Sequence, residues 1–210
     1  GSNGFIGKYI FEILIKKNHQ LICFDLQKKS LSNNVDEYYQ CDLKNINKYK
    51  KIIKNADIFL NLVGYLGVKE TQENPLKVLE INLSHQLGWL NTVKKWNIKR
   101  LVFISSSEVY GDINLKAVSE TSPVSPKSDY GVAKLAVENL IKAYSKAYKF
   151  EYNIIRYFNI YGPNQRDVFV IPKFINKAIN NETIHITGDG SQVRTFCYID
   201  DAVDATIKVI

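Results

Sequence analysis

Methionine is absent from the 210 residues, and histidine, cysteine and proline number only three, three and five. Cys23, Cys41 and Cys197 are too few and too scattered for a disulfide framework or a metal knuckle. They read as buried free thiols in a reducing cytoplasm. His19, His85 and His185 lie far apart and indicate no metal site. No apolar run approaches the ~20 residues that cross a bilayer, and no signal-peptide pattern opens the chain. These absences point to a cytoplasmic protein without a membrane partner. The missing methionine and the opening glycines mark the sequence as a window from a longer protein.

What is present is an ordinary globular composition, 45% hydrophobic and 23% charged. The net charge of +7 comes from lysines spread along the chain. Lys48, Lys50, Lys51 and Lys54 read as one solvated helix face, and no aromatic-basic interleaving points to nucleic acid.

Helix-period stretches alternate with short apolar runs. Residues 5–17 read as a helix, 20–25 as a strand, 38–41 as a short strand and 47–55 as a lysine-rich helix. Residues 57–63 read as a buried strand, 75–96 as a long helix, 100–105 as a second buried strand, 128–148 as a helix and 151–156 as a strand. This alternation predicts an α/β fold, a Rossmann-type doubly wound parallel sheet. Beyond Arg156 the alternation weakens into loops at 159–167 and 187–194 around a helix at 169–180. The expected organisation is a dinucleotide-binding domain over 1–157, followed at 158–210 by part of a smaller substrate-binding region whose last helix returns to the first domain.

Gly1-Ser-Asn-Gly4-Phe-Ile-Gly7 immediately precedes the first helix. Glycines there permit a tight turn and let backbone N–H groups approach a pyrophosphate at the helix N-terminus. The following strand ends at Asp25, an acid placed to accept hydrogen bonds from ribose hydroxyls and to repel a 2′-phosphate, which favours NAD over NADP. Lys28 and Lys29, close by, keep NADP open. The strand that should precede the glycines lies outside the sequence. In doubly wound order it is central, so the sheet is expected to split with two inner edges open, and the fragment to fold poorly on its own.

Tyr130 and Lys134 stand four residues apart on a predicted helix and so share a face. An ammonium beside a phenol lowers its pKa and makes it a proton carrier near neutral pH. Ser105-Ser106-Ser107 ends the strand before them.

Together these segments resemble the extended short-chain dehydrogenase/reductases, in the NAD-dependent nucleotide-sugar epimerase/dehydratase branch. The resemblance spans essentially the whole chain. It is carried by the Gly1–Gly7 turn, Cys41-Asp42-Leu43, Leu62-Val63-Gly64, Phe103-Ile-Ser-Ser-Ser-Glu-Val-Tyr-Gly111, Tyr130-Gly-Val-Ala-Lys134, Arg156-Tyr-Phe-Asn-Ile-Tyr-Gly-Pro163, and the run from Gly188 to Asp201. It implies Ser106, Tyr130 and Lys134 as catalytic residues. Tyr130 would be the acid/base, Lys134 would lower its pKa and hold the nicotinamide ribose, and Ser106 would bind the reacting oxygen. It further implies cofactor contacts from Gly1, Gly4, Phe5, Ile6, Gly7, Asp25, Asp42, Leu43, Leu62, Val63, Gly64 and Tyr157, and substrate contacts from Ser107, Asn159 and Arg194. A homodimer through the helix of Tyr130 and Lys134 is also implied.

The residues after Ser106 bear on the reaction. The family's dTDP-sugar 4,6-dehydratases carry Asp then Glu there, whereas this chain carries Ser107 then Glu108, which disfavours that reaction. Glu108 keeps a UDP-glucuronate decarboxylase or another nucleotide-sugar dehydratase open, with Glu108 as a catalytic residue. The runs around Tyr130 and Arg194 look more like a UDP-sugar 4-epimerase. A noncatalytic NAD-binding regulatory protein and an RNA-binding relative are the readings from other classes.

Overall fold

The computed structural model describes residues 1–29, 35–93, 96, 98–112, 117–186 and 188–210. Seven strands are present among them: β1 (Ile22–Asp25), β2 (Glu37–Gln40), β3 (Ile58–Asn61), β4 (Arg100–Ser106), β5 (Glu151–Tyr157), β6 (Ile160–Tyr161) and β7 (Cys197–Tyr198). The helices are α1 (Phe5–Lys16), α2 (Lys50–Ile53), α3 (Val68–Glu73), α4 (Pro75–Leu79), α5 (His85–Val93), α6 (Asp129–Tyr148), α7 (Val170–Ile179) and α8 (Ile199–Val209).

Every strand pair is parallel. β1 pairs with β2, β3 and β5 flank β4, and β6 pairs with β7. The expected split of the sheet is therefore present, with β1–β2 and β3–β4–β5 as separate ladders. The first residues stand between their C-terminal ends. The Gly1 and Ser2 nitrogens donate to the Phe24 carbonyl at 2.7 and 3.3 Å, and Gly1 packs against the main chain of Leu62.

Helices cover both faces of the sheet. On one side Trp89, Leu90, Val137 and Ile141 of α5 and α6 pack on Leu101 and Phe103. On the other, Ile10 of α1 meets Ile199 and Val203 of α8, with Leu60 and Leu62 packed against them. Phe59 joins the first group and Leu60 the second, as alternation along β3 requires. A strand covered on both faces is apolar throughout, and Leu101, Val102 and Phe103 of β4 are fully buried.

Helix ends follow local chemistry. Ser128, read as the first helical residue, is instead the N-cap of α6, and its Oγ accepts the Gly131 N–H at 3.0 Å. α6 closes at Lys149 in the left-handed conformation. The region expected as one helix at 47–55 is a 3-10 helix at Leu43–Tyr49 followed by the single turn of α2. The Asp42 carboxylate starts it early by accepting the Lys44 N–H. The long helix expected at 75–96 is interrupted, with a π-helical turn at Glu80–Ser84 between α4 and α5. Residues 94 and 95 of that expectation lie outside the described residues, as does Thr187 of the expected loop at 187–194. β6, only two residues, lies in the segment expected as a loop at 159–167, and β7, also two residues, follows the expected loop at 187–194. α7 is strongly amphipathic yet has no fully buried residue.

Replacing Leu101, fully buried near the start of β4, by Ala is expected to lower unfolding free energy by about 2–5 kcal/mol. Urea denaturation followed by tryptophan fluorescence measures it.

Candidate active site

α1 begins at the glycine turn. Gly4 is its N-cap and no side chain caps it; no acid stands in the first turn. The leading N–H groups of the helix therefore point to open space with the positive end of its dipole, an anion-binding arrangement. Gly7 is required by close approach: a Cβ there would stand 2.5 Å from the Gly1 carbonyl oxygen and 2.6 Å from that of Ser2. Asp25, at the end of β1, accepts the Asn3 N–H on Oδ2 at 2.9 Å and the Gln27 N–H on Oδ1 at 3.2 Å.

Asp42 and Leu43 sit where β2 gives way to the 3-10 helix. Leu43 is buried, and the Asp42 carboxylate lies 3.4 Å from His85 Nδ1. After β3, the Asn61 side chain accepts the Val63 N–H and donates to Gln86, which also receives the Trp89 indole N–H. Gly64 follows, lying against both the Lys134 ammonium and the Asn82 amide oxygen.

Asn82 was not singled out from the sequence. Fully buried in the π turn, it accepts the Tyr65 N–H and donates to the carbonyls of Tyr65 and Val78. The π turn thus fastens the loop after β3. A polar residue four positions after Val78 on a helix's buried side is the signal that could have found it.

β4 ends at Ser106, whose Oγ accepts the Glu108 N–H at 3.2 Å. Ser107 is half-buried in the short helical turn that follows. Glu108 is exposed, and its carboxylate accepts a hydrogen bond from Ser128 at the α6 N-cap. Tyr130 and Lys134 lie in the first two turns of α6. Gly131 between them permits the approach of this segment, because a Cβ there would meet the Glu108 carbonyl at 2.8 Å.

The expectation that Lys134 lowers the Tyr130 phenol is not what this geometry produces. Lys134 is 3% exposed, and its ammonium donates to the Ile104 carbonyl at 2.9 Å. Nζ stands 5.6 Å from the Tyr130 ring centre and 4.8 Å from that of Phe103. Burial pushes its pKa down to about 8, partly opposed by the negative charge of Glu138. Tyr130 is raised above its ordinary value, first by burial and then by the Glu108 charge; its hydrogen bond with Ser106 acts the other way. The structure therefore brings Ser106, Tyr130 and Lys134 together, with the phenol protonated in the cofactor-free protein.

Beneath them is a buried ion pair. Arg156 of β5 donates to Glu138 of α6 through Nε at 2.9 Å and through a terminal nitrogen at 2.7 Å, and Ser105 Oγ donates to the same carboxylate at 2.5 Å. Glu138 is fully buried. The Arg156 guanidinium also lies 4.9 Å over the Tyr110 ring.

The remaining expected residues are dispersed. The Tyr157 hydroxyl pairs with Thr206 on α8, on the face of β5 opposite Arg156. It is Phe158 that turns toward the catalytic segment, its ring stacked 6.3 Å from Tyr110. Asn159 donates from its side chain to the Thr195 carbonyl at 2.8 Å, tying β6 to the segment before β7. Arg194 is exposed on a loop and its guanidinium contacts the neighbouring Val193 carbonyl.

Among the described residues no three His, Cys, Asp or Glu could hold a metal, and no helix is long and apolar enough to cross a membrane. An uncapped helix start behind a glycine turn, an acid at the next strand end, and a serine, phenol and ammonium at the end of β4 define a dinucleotide-dependent enzyme acting on hydroxyl-bearing carbon. The family model for the NAD-dependent epimerase/dehydratase family matches residues 1–210, and the chain belongs to that family. The cradle at Gly7 and the uncapped start of α1 fit its NAD cofactor.

A protein of Methanocaldococcus jannaschii provisionally named a UDP-glucose 4-epimerase is 34% identical, over 100% of this chain and 72% of its own. The UDP-N-acetyl-alpha-D-glucosaminuronate decarboxylase of Bacillus cytotoxicus is 32% identical over 100% of this chain and 69% of its own. Among solved structures, the UDP-glucose 4-epimerase of Thermotoga maritima with UDP-glucose superposes with a TM-score of 0.92 at 26% identity, covering 100% of this chain and 71% of that one. The UDP-glucuronic acid 4-epimerase of Bacillus cereus, in complex with UDP-glucuronic acid and NAD, gives 0.90 at 28% identity, covering 100% and 71%.

Lys134 yields a pH signature. Its folded pKa, about 8, lies below its unfolded value, so the unfolded chain holds more protons between about pH 8 and 10. Stability of the cofactor-free protein from this group therefore rises with pH through that window, on the order of 1–3 kcal/mol. Lys134→Met is expected to remove the rise, read by urea melts at a series of pH values.

Proposed function

We infer that this protein is a UDP-sugar 4-epimerase, acting through a transient 4-keto sugar. The observation that carries the reading is the disposition of acids around Tyr130. Ser107 stands where an elimination would need an acid, and the carboxylate of Glu108 is engaged by Ser128 at the start of α6. Tyr130 is left as the proton-transfer group, hydrogen-bonded to Ser106. Named relatives that are 4-epimerases support the same reading.

NAD, when bound, would supply hydride acceptor and donor chemistry at C4 and a cationic ring whose charge would favour the Tyr130 phenolate. Tyr130 Oη takes the proton of the C4 hydroxyl. Ser106 Oγ holds the same oxygen as it becomes a carbonyl, which keeps it within reach of the phenol while the sugar turns. Tyr130 gives the proton back when the hydroxyl reforms. Lys134, held by the Ile104 carbonyl, presents its charge beside the phenol and to the nicotinamide ribose. Asp25 binds the adenosine ribose, Asp42 and Leu43 the adenine, and Gly1, Gly4, Phe5, Ile6 and Gly7 the pyrophosphate. Leu62, Val63 and Gly64 lie under the cofactor, with Tyr157 near the nicotinamide. The segment 158–210 forms the substrate side, with Asn159 and Arg194 toward the diphosphate and Ser107 toward the sugar. The protein works in the cytoplasm as a homodimer through α6.

The Bacillus cytotoxicus relative favours a second reading, a decarboxylase in which Glu108 does chemistry. Tyr130→Phe is expected to abolish turnover of either kind while retaining NAD; near-wild-type turnover would sink the mechanism. Incubation with UDP-, dTDP- and GDP-sugars followed by NMR distinguishes an epimer from a decarboxylated pentose or a 4-keto-6-deoxy sugar. Glu108→Gln separates the readings independently. In an epimerase, losing that charge lowers the Tyr130 pKa and moves the pH–rate profile to lower pH with activity kept. In a decarboxylase using Glu108, it removes activity.

A further inference from the structure

The glycine turn contains a residue whose side chain faces neither the pyrophosphate site nor solvent. Asn3 is 6% exposed. Its Nδ2 lies within donating distance of three acceptors: the Lys29 carbonyl at 2.9 Å, the Tyr38 hydroxyl at 3.0 Å and Gln27 Oε1 at 3.3 Å. Tyr38, on β2, donates its own hydroxyl proton to the Gln27 carbonyl at 2.7 Å. Gln40, also on β2, donates to the Leu26 carbonyl at 3.0 Å. The segment 26–29 is thus sewn down from the glycine turn and from β2.

The strap encloses Asp25. One carboxylate oxygen accepts the Asn3 N–H and the other the Gln27 N–H, so the same two residues that hold the strap also aim the acid. Lys28 and Lys29 are exposed while the Lys29 carbonyl is drawn inward to Asn3. With the strap closed, the lysines nearest to Asp25 in sequence are turned to solvent and the carboxylate is held by the Asn3 and Gln27 N–H groups. A ribose 2′-hydroxyl can donate to such a carboxylate. A 2′-phosphate, carrying up to two negative charges, meets repulsion without a compensating cation.

We propose that Asn3, with Tyr38, is a positioning residue for cofactor choice: it pins the 26–29 strap so that Asp25 selects NAD and Lys28 and Lys29 are withheld from NADP. This rests on the ribose role proposed for Asp25. Removing the Asn3 amide leaves the Lys29 carbonyl and the Tyr38 hydroxyl without that donor. The strap then lifts, Asp25 loses its alignment, and the two lysines reach the 2′ position.

The test is equilibrium binding of NAD and of NADP to the full-length protein by calorimetry, for wild type, Asn3→Ala and Tyr38→Phe. The expected result is a preference for NAD in the wild type that falls about tenfold in Asn3→Ala and less, in the same direction, in Tyr38→Phe. Limited trypsin digestion gives a second readout: cleavage after Lys28 and Lys29 accelerates in both variants and is slowed by NAD. Tyr38→Phe keeps the ring and carries the test if Asn3→Ala fails to fold. An unchanged NAD-to-NADP ratio in the folded variants overturns the proposal. A wild type that binds neither dinucleotide overturns the cofactor reading itself, and the strap with it.

Discussion

The buried pair between Glu138 and Arg156 is the contact on which the site depends. A carboxylate with no solvent exposure is tolerated only when its charge is matched and its lone pairs are filled. Arg156 supplies the charge with two parallel hydrogen bonds, and Ser105 supplies a third. Those partners lie on β5 and β4, while Glu138 lies on α6. One carboxylate therefore fixes the depth and rotation of α6 over two adjacent strands. Tyr130 and Lys134 are two turns and one turn earlier on that helix, and Ser106 directly follows Ser105. The relative positions of Ser106, Tyr130 and Lys134 descend from this one bond set.

Around that anchor the electrostatics are arranged in opposition. Burial acts against both charged forms, the Lys134 ammonium and the Tyr130 phenolate, so without cofactor the ammonium is weakened and the phenol keeps its proton. Glu108 reinforces the phenol's hold and Ser106 loosens it. A site balanced in this way responds strongly to any charge placed in it.

Much of this was legible in the chain. The alternation of buried strands and helices led to parallel ladders and two covered faces, because period 2 and period 3.6 survive in β3, β4, α1 and α6. The Gly1–Gly7 turn located the start of α1 because glycine spacing reports backbone proximity directly. Other features left no such trace. The 3-10 start at Leu43 depends on one side-chain bond from Asp42, and β6 and β7 are too short to show alternation. Four-residue spacing put Tyr130 and Lys134 on one face, yet it says nothing of the Ile104 carbonyl that holds the ammonium. The Tyr157 hydroxyl pairs with Thr206, a partner 49 residues away that no local pattern announces. Arg156 was visible only as part of a motif, since its role exists through Glu138.

The π turn at Glu80–Ser84 has a consequence for how this protein can change. A π turn accommodates one residue more than the α-helical path beside it. Deleting one residue there would restore a regular helix and keep Gln86, Trp89 and Leu90 on the sheet, because the π turn absorbs its extra residue without shifting the phase of the helix beyond it. Asn82 would lose its place against the loop at Tyr65. Loops elsewhere in the chain can lengthen or shorten with little effect on the interior. Here the extra residue sets the Asn82 side chain against the loop at Tyr65 while the helix beyond keeps its apolar face on the sheet.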